Sequence, residues 1–355
     1  MTDALPSGST IGILGGGQLG RMLTVAASRL GFCTHIYEPG ASPPAGQVAD
    51  RVTTAAYDDT KALDAFARSV SVVTYEFENI PTQALDIVEA LVPIRPGREA
   101  LRVSQDRLSE KTFLQDLGLA TAPFADVSDD VSLTAALADI GTPAILKTRR
   151  FGYDGKGQAR LQTTQDAATA FAAMAGQPAI LEGFVEFSHE VSVIAARGLS
   201  GEVACYDPGE NHHSEGILRT TKVPARLSAR HRTDAVLLAA QILGALDYVG
   251  VLGVELFDTR SGLVVNEIAP RVHNSGHWTQ QGCTVDQFEQ HIRAIAGWAL
   301  GDGERFADVT MENLIGDDLD KVDKYAKDPK TALHLYGKAE TKPGRKMGHV
   351  NRITS

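Results

Sequence analysis

Residues 249–257 and 263–268 are two almost unbroken apolar runs joined by the turn at 258–262, and each carries one glutamate, Glu255 and Glu267. Short apolar runs bounded by turn residues read as paired strands, and hairpin pairing makes the two glutamates neighbours. Holding two carboxylates in such surroundings is unfavourable unless a cation compensates them. Mg²⁺ does so when it bridges carboxylates to nucleotide phosphates, and Asn266 beside Glu267 adds a further oxygen. The alternative is that each glutamate is a partly exposed strand residue paired with an arginine. Whatever the fold, it must contain an antiparallel hairpin with two adjacent carboxylates.

At 355 residues the chain exceeds one hydrophobic core, so two or three domains with clefts between them are expected. From residue 10 to about 103, apolar runs alternate with helical periodicity. IGIL is followed by a helix with Leu19, Met22, Leu23, Ala26 and Leu30 on one face, then THIYE, a helix over 62–70, and SVVTYE. This alternation implies a parallel α/β sheet at 1–105. A second region, 106–186, opens at Ser104 or Asp106, either of which can cap a helix reaching Leu117, and contains the strands PAILK and AILEGFV. Over 188–270 the runs EVSVIAA, ILRTTKV, YVGVLGVELFD and GLVVNEI surround a helix at 229–246, which indicates an α+β domain at 187–355. Val285, Phe288, Ile292, Ile295 and Ala299 mark another amphipathic helix. The stretch 333–351 is basic (Lys338, Lys342, Arg345, Lys346) and broken by Gly337, Pro343, Gly344 and Gly348.

Composition removes several classes of function. No apolar run approaches the roughly 18 residues of a membrane span, so no membrane partner is expected. The opening MTDALPSGST lacks the basic start and apolar stretch of a secretory signal. The three cysteines, Cys33, Cys205 and Cys283, are distant and odd in number, which fits a reducing compartment, and a cytoplasmic location is expected. A net charge of -10 argues against nucleic-acid binding while leaving room for a local phosphate pocket.

Gly15, Gly17 and Gly20 form G-x-G-x-x-G between a strand and a helix, with Glu38 ending the next strand. The pattern admits a dinucleotide site, an anion or sugar loop of a substrate domain, or a structural tight turn, because its content is only close backbone approach at a helix N-terminus. Lys147 ends an apolar strand, Arg149 and Arg150 follow, and YDGKG occupies 153–157. A strand-end lysine with a glycine-rich flap can grip phosphates and exclude water from a reactive intermediate. A solvated basic hairpin is the competing reading. At 179–185, AILEGFV is a strand ending on a hinge where Glu182 and backbone groups can meet an adenine edge, with Phe184 and Val185 in apolar contact. Glu190 can accept from ribose hydroxyls.

Lys147, FGYDGKGQ from Phe151, EGFV from Glu182, Glu255, and NEIAPRVHNSGHWT from Asn266, together with GGGQLGRM from Gly15, resemble the ATP-grasp superfamily. Within it they resemble the N5-carboxyaminoimidazole ribonucleotide synthetases of purine biosynthesis, over residues 11 to about 351. The resemblance implies an ATP-grasp fold with a Rossmann-like, pre-ATP-grasp N-terminal domain and a small C-terminal β-rich lid at about 330–355. It also implies a homodimeric ligase that forms carboxyphosphate from ATP and bicarbonate and transfers its carboxyl group to the amine of 5-aminoimidazole ribonucleotide. It places Arg107, Lys147, Gly152, Tyr153, Asp154, Gly155, Lys156, Gly157, Gln158, Glu182, Gly183, Phe184, Val185, Glu190, His213, Asn266 and Glu267 around ATP, and Mg²⁺ on Glu255 and Glu267. Bicarbonate falls near Arg271, His273 and Asn274, which count as catalytic together with Asp154 and Lys156. Gln18, Leu19, Glu76, Tyr153, Asp154, Lys338 and Arg345 fall to the ribonucleotide, with the basic tail closing over its phosphate. Two departures are Phe151, where many relatives carry glycine, and Ala269, where other ATP-grasp enzymes carry a third metal-ligand asparagine. His35, His231, His291 and His334 carry no motif and read as structural. The rival readings are a nicotinamide-dependent oxidoreductase built on the Gly15–Gly20 loop and a nucleotide-sensing scaffold without turnover.

Overall fold

The computed structural model describes residues 4–152 and 155–355 and places them in three sheets that meet around one cavity. The strands β1 (Thr10–Leu14), β2 (Cys33–Tyr37), β3 (Arg51–Thr53) and β4 (Val72–Tyr75) form a parallel sheet in the order β3-β2-β1-β4. Helix α1 (Gln18–Arg29) returns from β1 to β2 and buries Leu19, Met22, Leu23 and Ala26 on one stripe, as a 3.6-residue period requires; Leu30 caps it. Helices α2 (Thr60–Ala67), α3 (Thr82–Glu89) and α4 (Arg98–Ser104) follow, and Leu63, Phe66, Leu85, Val88 and Leu101 share a core with Leu14, Val73 and Tyr75 of the sheet.

Of the two candidate caps, Asp106 starts α5 (Arg107–Asp116), accepting from Leu108 N and Ser109 N, while Ser104 ends α4. The second sheet is antiparallel in the order β5-β8-β6-β7, from β5 (Phe124–Val127), β6 (Ala144–Thr148), β7 (Gln158–Leu161) and β8 (Ala179–Gly183). Its Leu146, Leu161, Ala179 and Leu181 pack with Leu133 and Leu137 of α6 (Asp130–Ile140) and with Ala170 of α7 (Ala167–Ala173). Alternation along the strand leaves Ile145 and Lys147 of β6 on the opposite face, toward the cavity.

The third sheet contains β9 (His189–Arg197), β10 (Val203–Cys205), β11 (Gly209–Ser214), β12 (Ile217–Val223), β13 (Gly250–Thr259), β14 (Gly262–Ala269), β15 (Val309–Ile315), β16 (Thr331–Leu335) and β17 (Lys346–Ile353). Its order is β14-β13-β9-β11-β12-β15-β17-β16, with β10 beside β9. In β13, Leu252, Val254 and Leu256 pack with Ala239 and Leu243 of α8 (Ala229–Ala245), while Val251 joins the core on the other face. Both faces of β13 are covered, which is why its sequence reads as almost continuously apolar. Two helices, α9 (Thr279–Gly282) and α10 (Gln287–Ala296), follow the hairpin, and α11 (Val322–Ala326) follows β15.

The C-terminal β-rich part is an extension of this sheet, because β15 pairs with both β12 and β17. The basic stretch therefore divides: its ends are strands, and only 336–345 connects them. Ile11, Leu23 and Val72 share one core with Phe288 and Ile292 of α10 and with Ile194, Val251 and Met311 of the large sheet, so the N-terminal and C-terminal regions are packed as one body.

Candidate active site

The cavity has a volume of about 630 Å³ and takes a wall from each sheet. Lys147 enters from β6, its Nζ 2.9 Å from Glu182 Oε2, and Lys111 Nζ approaches the same oxygen at 3.6 Å. Burial pushes the Glu182 carboxyl up, but Lys147 and Lys111 outweigh it and hold the group below its ordinary range. Arg107 donates from Nη1 to Glu267 Oε2 at 3.0 Å and from Nη2 to Gly152 O at 3.2 Å, tying the carboxylate to the base of the flap. On the same wall Glu190 and His213 are hydrogen-bonded; burial lowers the imidazole pKa, and the bond to Glu190 lifts it above its ordinary value.

Glu255 and Glu267 lie directly opposite each other in the β13–β14 hairpin, and both line the cavity. Burial and then the charge of Glu267 push Glu255 up to about 7. Glu267 is held low by Arg107 against the opposing effect of burial. A third carboxylate, Glu110 of α5, accepts from Ile268 N at 2.6 Å and is pushed to about 8 by burial and by Glu267. The opposed pair Glu255 and Glu267 on the cavity wall suits a hard divalent cation such as Mg²⁺, which takes one or two carboxylates and completes its shell with phosphate and water. Among the described residues no three His, Cys, Asp or Glu form a metal cluster, so the cation would be held jointly with the nucleotide. Ala269 also lines the wall and supplies no side-chain oxygen.

Beyond the hairpin, Arg271 Nη2 lies 2.5 Å from Glu78 Oε1, and Nη1 donates to Val272 O at 3.1 Å. His273 Nδ1 accepts from Ser275 N and lies 2.8 Å from Ser275 Oγ, which leaves the ring proton on Nε2, 3.5 Å from Glu255 Oε1. Burial and the neighbouring Arg271 keep this ring neutral. The Asn274 Nδ2 is buried and has no partner among the described residues, yet Asn274 lines the cavity. A guanidinium, an imidazole N–H and an unpaired carboxamide N–H thus share one wall, a donor set that could receive a small planar anion.

Residues 8–105 match the ribonucleotide synthetase preATP-grasp domain, 112–288 the ATP-grasp domain, and 310–355 the phosphoribosylaminoimidazole carboxylase C-terminal domain. Over 353 residues the chain is 55% identical to N5-carboxyaminoimidazole ribonucleotide synthase of Brucella melitensis, covering 99% of this chain and 98% of that one. The chain belongs to the N5-carboxyaminoimidazole ribonucleotide synthase family. A solved ADP complex of an N5-carboxyaminoimidazole ribonucleotide synthetase superposes with a TM-score of 0.96 at 41% identity, covering 100% of this chain and 94% of that chain. The Aspergillus clavatus enzyme in complex with ADP and 5-aminoimidazole ribonucleotide superposes with a TM-score of 0.92 at 31% identity, covering 98% and 94%.

Within this N5-carboxyaminoimidazole ribonucleotide synthase fold, the cavity wall gathers Gln18, Leu19, Arg107, Lys147, Gly152, Gly155, Lys156, Gln158, Glu190, His213, Glu255, Asn266, Glu267, Arg271, His273 and Asn274. Tyr153 and Asp154 lie outside the described residues. Phe151 has φ 61, a left-handed conformation that favours glycine. Gly157 packs on Thr148 behind the flap, and Gly183 packs on Ile140 and Pro123. Phe184 lies under the Arg160 guanidinium at 4.6 Å, and neither it nor Val185 nor Glu182 is on the wall. Lys338 and Arg345 also lie off the wall: Lys338 donates to Lys346 O at 2.6 Å, and Arg345 donates to Glu340 O at 3.0 Å.

The glycine loop resolves differently from a dinucleotide site. Glu76 accepts from both Gly17 N and Gly20 N, and Glu38 accepts from Gly16 N at 2.9 Å. The amides that would face a pyrophosphate are thus satisfied by the chain's own carboxylates, and Glu76 holds the turn from behind the wall that carries Gln18 and Leu19. His35, His231, His291 and His334 each have side-chain or backbone partners away from the wall, as structural histidines do. Lys346, Glu78, Glu110 and Lys111 escaped the reading of the sequence as site residues. Lys346, Glu78 and Glu110 line the wall, and Lys111 braces it by donating to Asn266 O at 2.7 Å. Glu110 and Lys111 carry no motif in the sequence; the only available signal is their position one turn after the Asp106 cap.

Proposed function

We propose that this chain is an ATP-dependent ligase that carboxylates the amine of 5-aminoimidazole ribonucleotide with bicarbonate. Bicarbonate oxygen attacks the γ-phosphorus of ATP, giving carboxyphosphate and ADP. The amine then attacks the carboxyl carbon, releasing phosphate and leaving the N5-carbamate, with loss of one proton. The observation that carries the reading is the anion slot of Arg271, His273 and the unpartnered Asn274 Nδ2 beside the Glu255–Glu267 pair.

In this account Lys147, Arg107 and Lys156 hold the phosphates, Glu190 and His213 meet the ribose, and the flap around Gly152–Gln158 closes out water. Glu182 and residues 183–185 edge the adenine, Gln18 and Leu19 border the ribonucleotide, and Lys338 and Arg345 approach its phosphate from the β16–β17 connection. Mg²⁺ on Glu255 and Glu267 would supply charge neutralisation for the transferring phosphoryl group. A cytoplasmic homodimer is the setting we propose; among the described residues no helix is long and apolar enough to cross a membrane. The test is ADP release by the purified protein, expected only with bicarbonate and Mg²⁺ present and faster with 5-aminoimidazole ribonucleotide. ADP release that persists unchanged without bicarbonate would overturn the proposal.

The raised carboxyl of Glu255 gives a second expectation. Cation binding needs the carboxylate, so Mg²⁺–nucleotide binding should release a proton near neutrality and weaken by up to about tenfold per pH unit below 7. Without cation, the folded protein holds this proton more tightly than the unfolded chain. The stability it contributes is present below 4.5 and lost as pH rises through about 7. Calorimetry of binding in buffers of different ionisation enthalpy measures the proton. Equal release by the wild type and by Glu255→Gln would refute the assignment.

A further inference from the structure

We infer that Gln287 is a positioning residue for the anion slot, acting through the main chain of His273; the inference rests on the placement of bicarbonate at Arg271, His273 and Asn274. Gln287 is not on the cavity wall. Its side chain is nevertheless fully buried, and both ends of its carboxamide hold the residue that is. Oε1 accepts from His273 N at 2.9 Å, and Nε2 donates to His273 O at 2.8 Å. The remaining Nε2 hydrogen points to His277 Nδ1 at 2.9 Å. The amide orientation follows from this set, since the reverse would oppose an N–H to the His273 N–H.

One side chain thus fixes both ends of the turn that carries Asn274. That turn has no slack, because a Cβ at Gly276 would lie 2.6 Å from Gln287 Oε1 and 2.7 Å from Ile194. Gln287 is itself immobile. It is the first residue of α10, its N–H donates to Thr279 Oγ1 at 3.0 Å, and Phe288 and Ile292 behind it sit in the core shared with the parallel sheet. On the other side Gly253 lets His273 approach β13, where a Cβ would come within 2.7 Å of His273 Cβ. His273 is therefore held between the strand that carries Glu255 and the helix that begins at Gln287. Its Nε2–H keeps one direction into the slot.

The test is steady-state kinetics on Gln287→Leu and on Gln287→Glu. The second keeps volume and the acceptor for His273 N while losing both donated bonds, and it carries the test if the first does not fold. Each variant should raise the KM for bicarbonate by about tenfold, the scale of a small misplacement, and leave the KM for ATP within about twofold. In a background that lacks both slot side chains, His273→Ala with Asn274→Ala, the Gln287 change should add little to the bicarbonate KM, because the groups its main-chain bonds position are already gone. An unchanged bicarbonate KM in Gln287→Glu overturns the inference, as does an equal rise in the KM for ATP or a full multiplicative effect in the combined variant. His273→Ala with a normal bicarbonate KM instead overturns the placement of bicarbonate on which the inference stands.

Discussion

Glu267→Gln should lower turnover by about 10²–10³-fold while leaving the melting temperature of the nucleotide-free protein nearly unchanged, because several kcal/mol of charge stabilisation is lost from the reaction and little from the fold. Glu267 stands opposite Glu255, where its charge adds to burial in pushing that carboxyl up to about 7, and it is also the acceptor for Arg107. The amide keeps the shape and an acceptor oxygen for Arg107 but removes the charge that completes a cation site. Relief of crowding works the other way on stability: with Glu267 neutral, Glu255 and Glu110 lose a large cause of their raised pKa, which offsets the weakened Arg107 bond. ATP affinity should fall less than turnover, since Lys147 and the flap are untouched. Single-turnover ADP formation at saturating Mg²⁺ and ATP, with thermal melting beside it, measures both effects. Turnover within about threefold of wild type would remove Glu267 from the cation site.

The parts of the fold legible in the sequence are those where one periodicity has one physical solution. The α1 stripe, the parallel strands and the β13–β14 hairpin follow from helical or strand spacing of apolar residues over enough length to be unambiguous. The glycine loop was ambiguous because its pattern records backbone approach and not what approaches; the ligand for those amides turned out to be Glu76, 56 to 59 residues away in the chain. The C-terminal strands were hidden for a different reason. Their pairing with β12 is long-range, and a basic, glycine-broken stretch looks the same whether it is a separate lid or a connection between strands.

A similar limit applies to the site. The cavity-wall residues that the sequence proposes for a ligand occur in short runs, as in Asn266–Glu267 or Arg271 to Asn274, and a short run can be read locally. Residues that set the charge or the placement of those groups come from other elements: Glu110 and Lys111 from α5, Glu78 from the segment after β4, Gln287 from α10. Each sits beside its partner only after three sheets have closed around the cavity. Nothing in local spacing distinguishes such a buried glutamate from one on a solvated helix.

Arg271→Lys should raise the KM for bicarbonate by about 10- to 100-fold and leave the KM for ATP close to wild type, the cost of losing bidentate recognition while keeping the charge. The guanidinium already donates to Glu78 and to Val272 O, so Arg271 enters the slot oriented, with further donors in the same plane for an anion. An ammonium can keep the Glu78 pair, which spares the fold an unpaired, half-buried carboxylate, but it cannot keep that pair and present a planar fork. The loss should also appear after the first chemical step. Carboxyphosphate that is loosely held reaches water before the amine captures it, so ADP formed per carbamate formed should rise above one in the variant and stay near one in the wild type. A simple structural role for Arg271 would lower both rates together and leave that ratio alone. An unchanged ratio with an unchanged bicarbonate KM would place the anion elsewhere in the cavity, with Lys346, on the same wall, as the next residue to test.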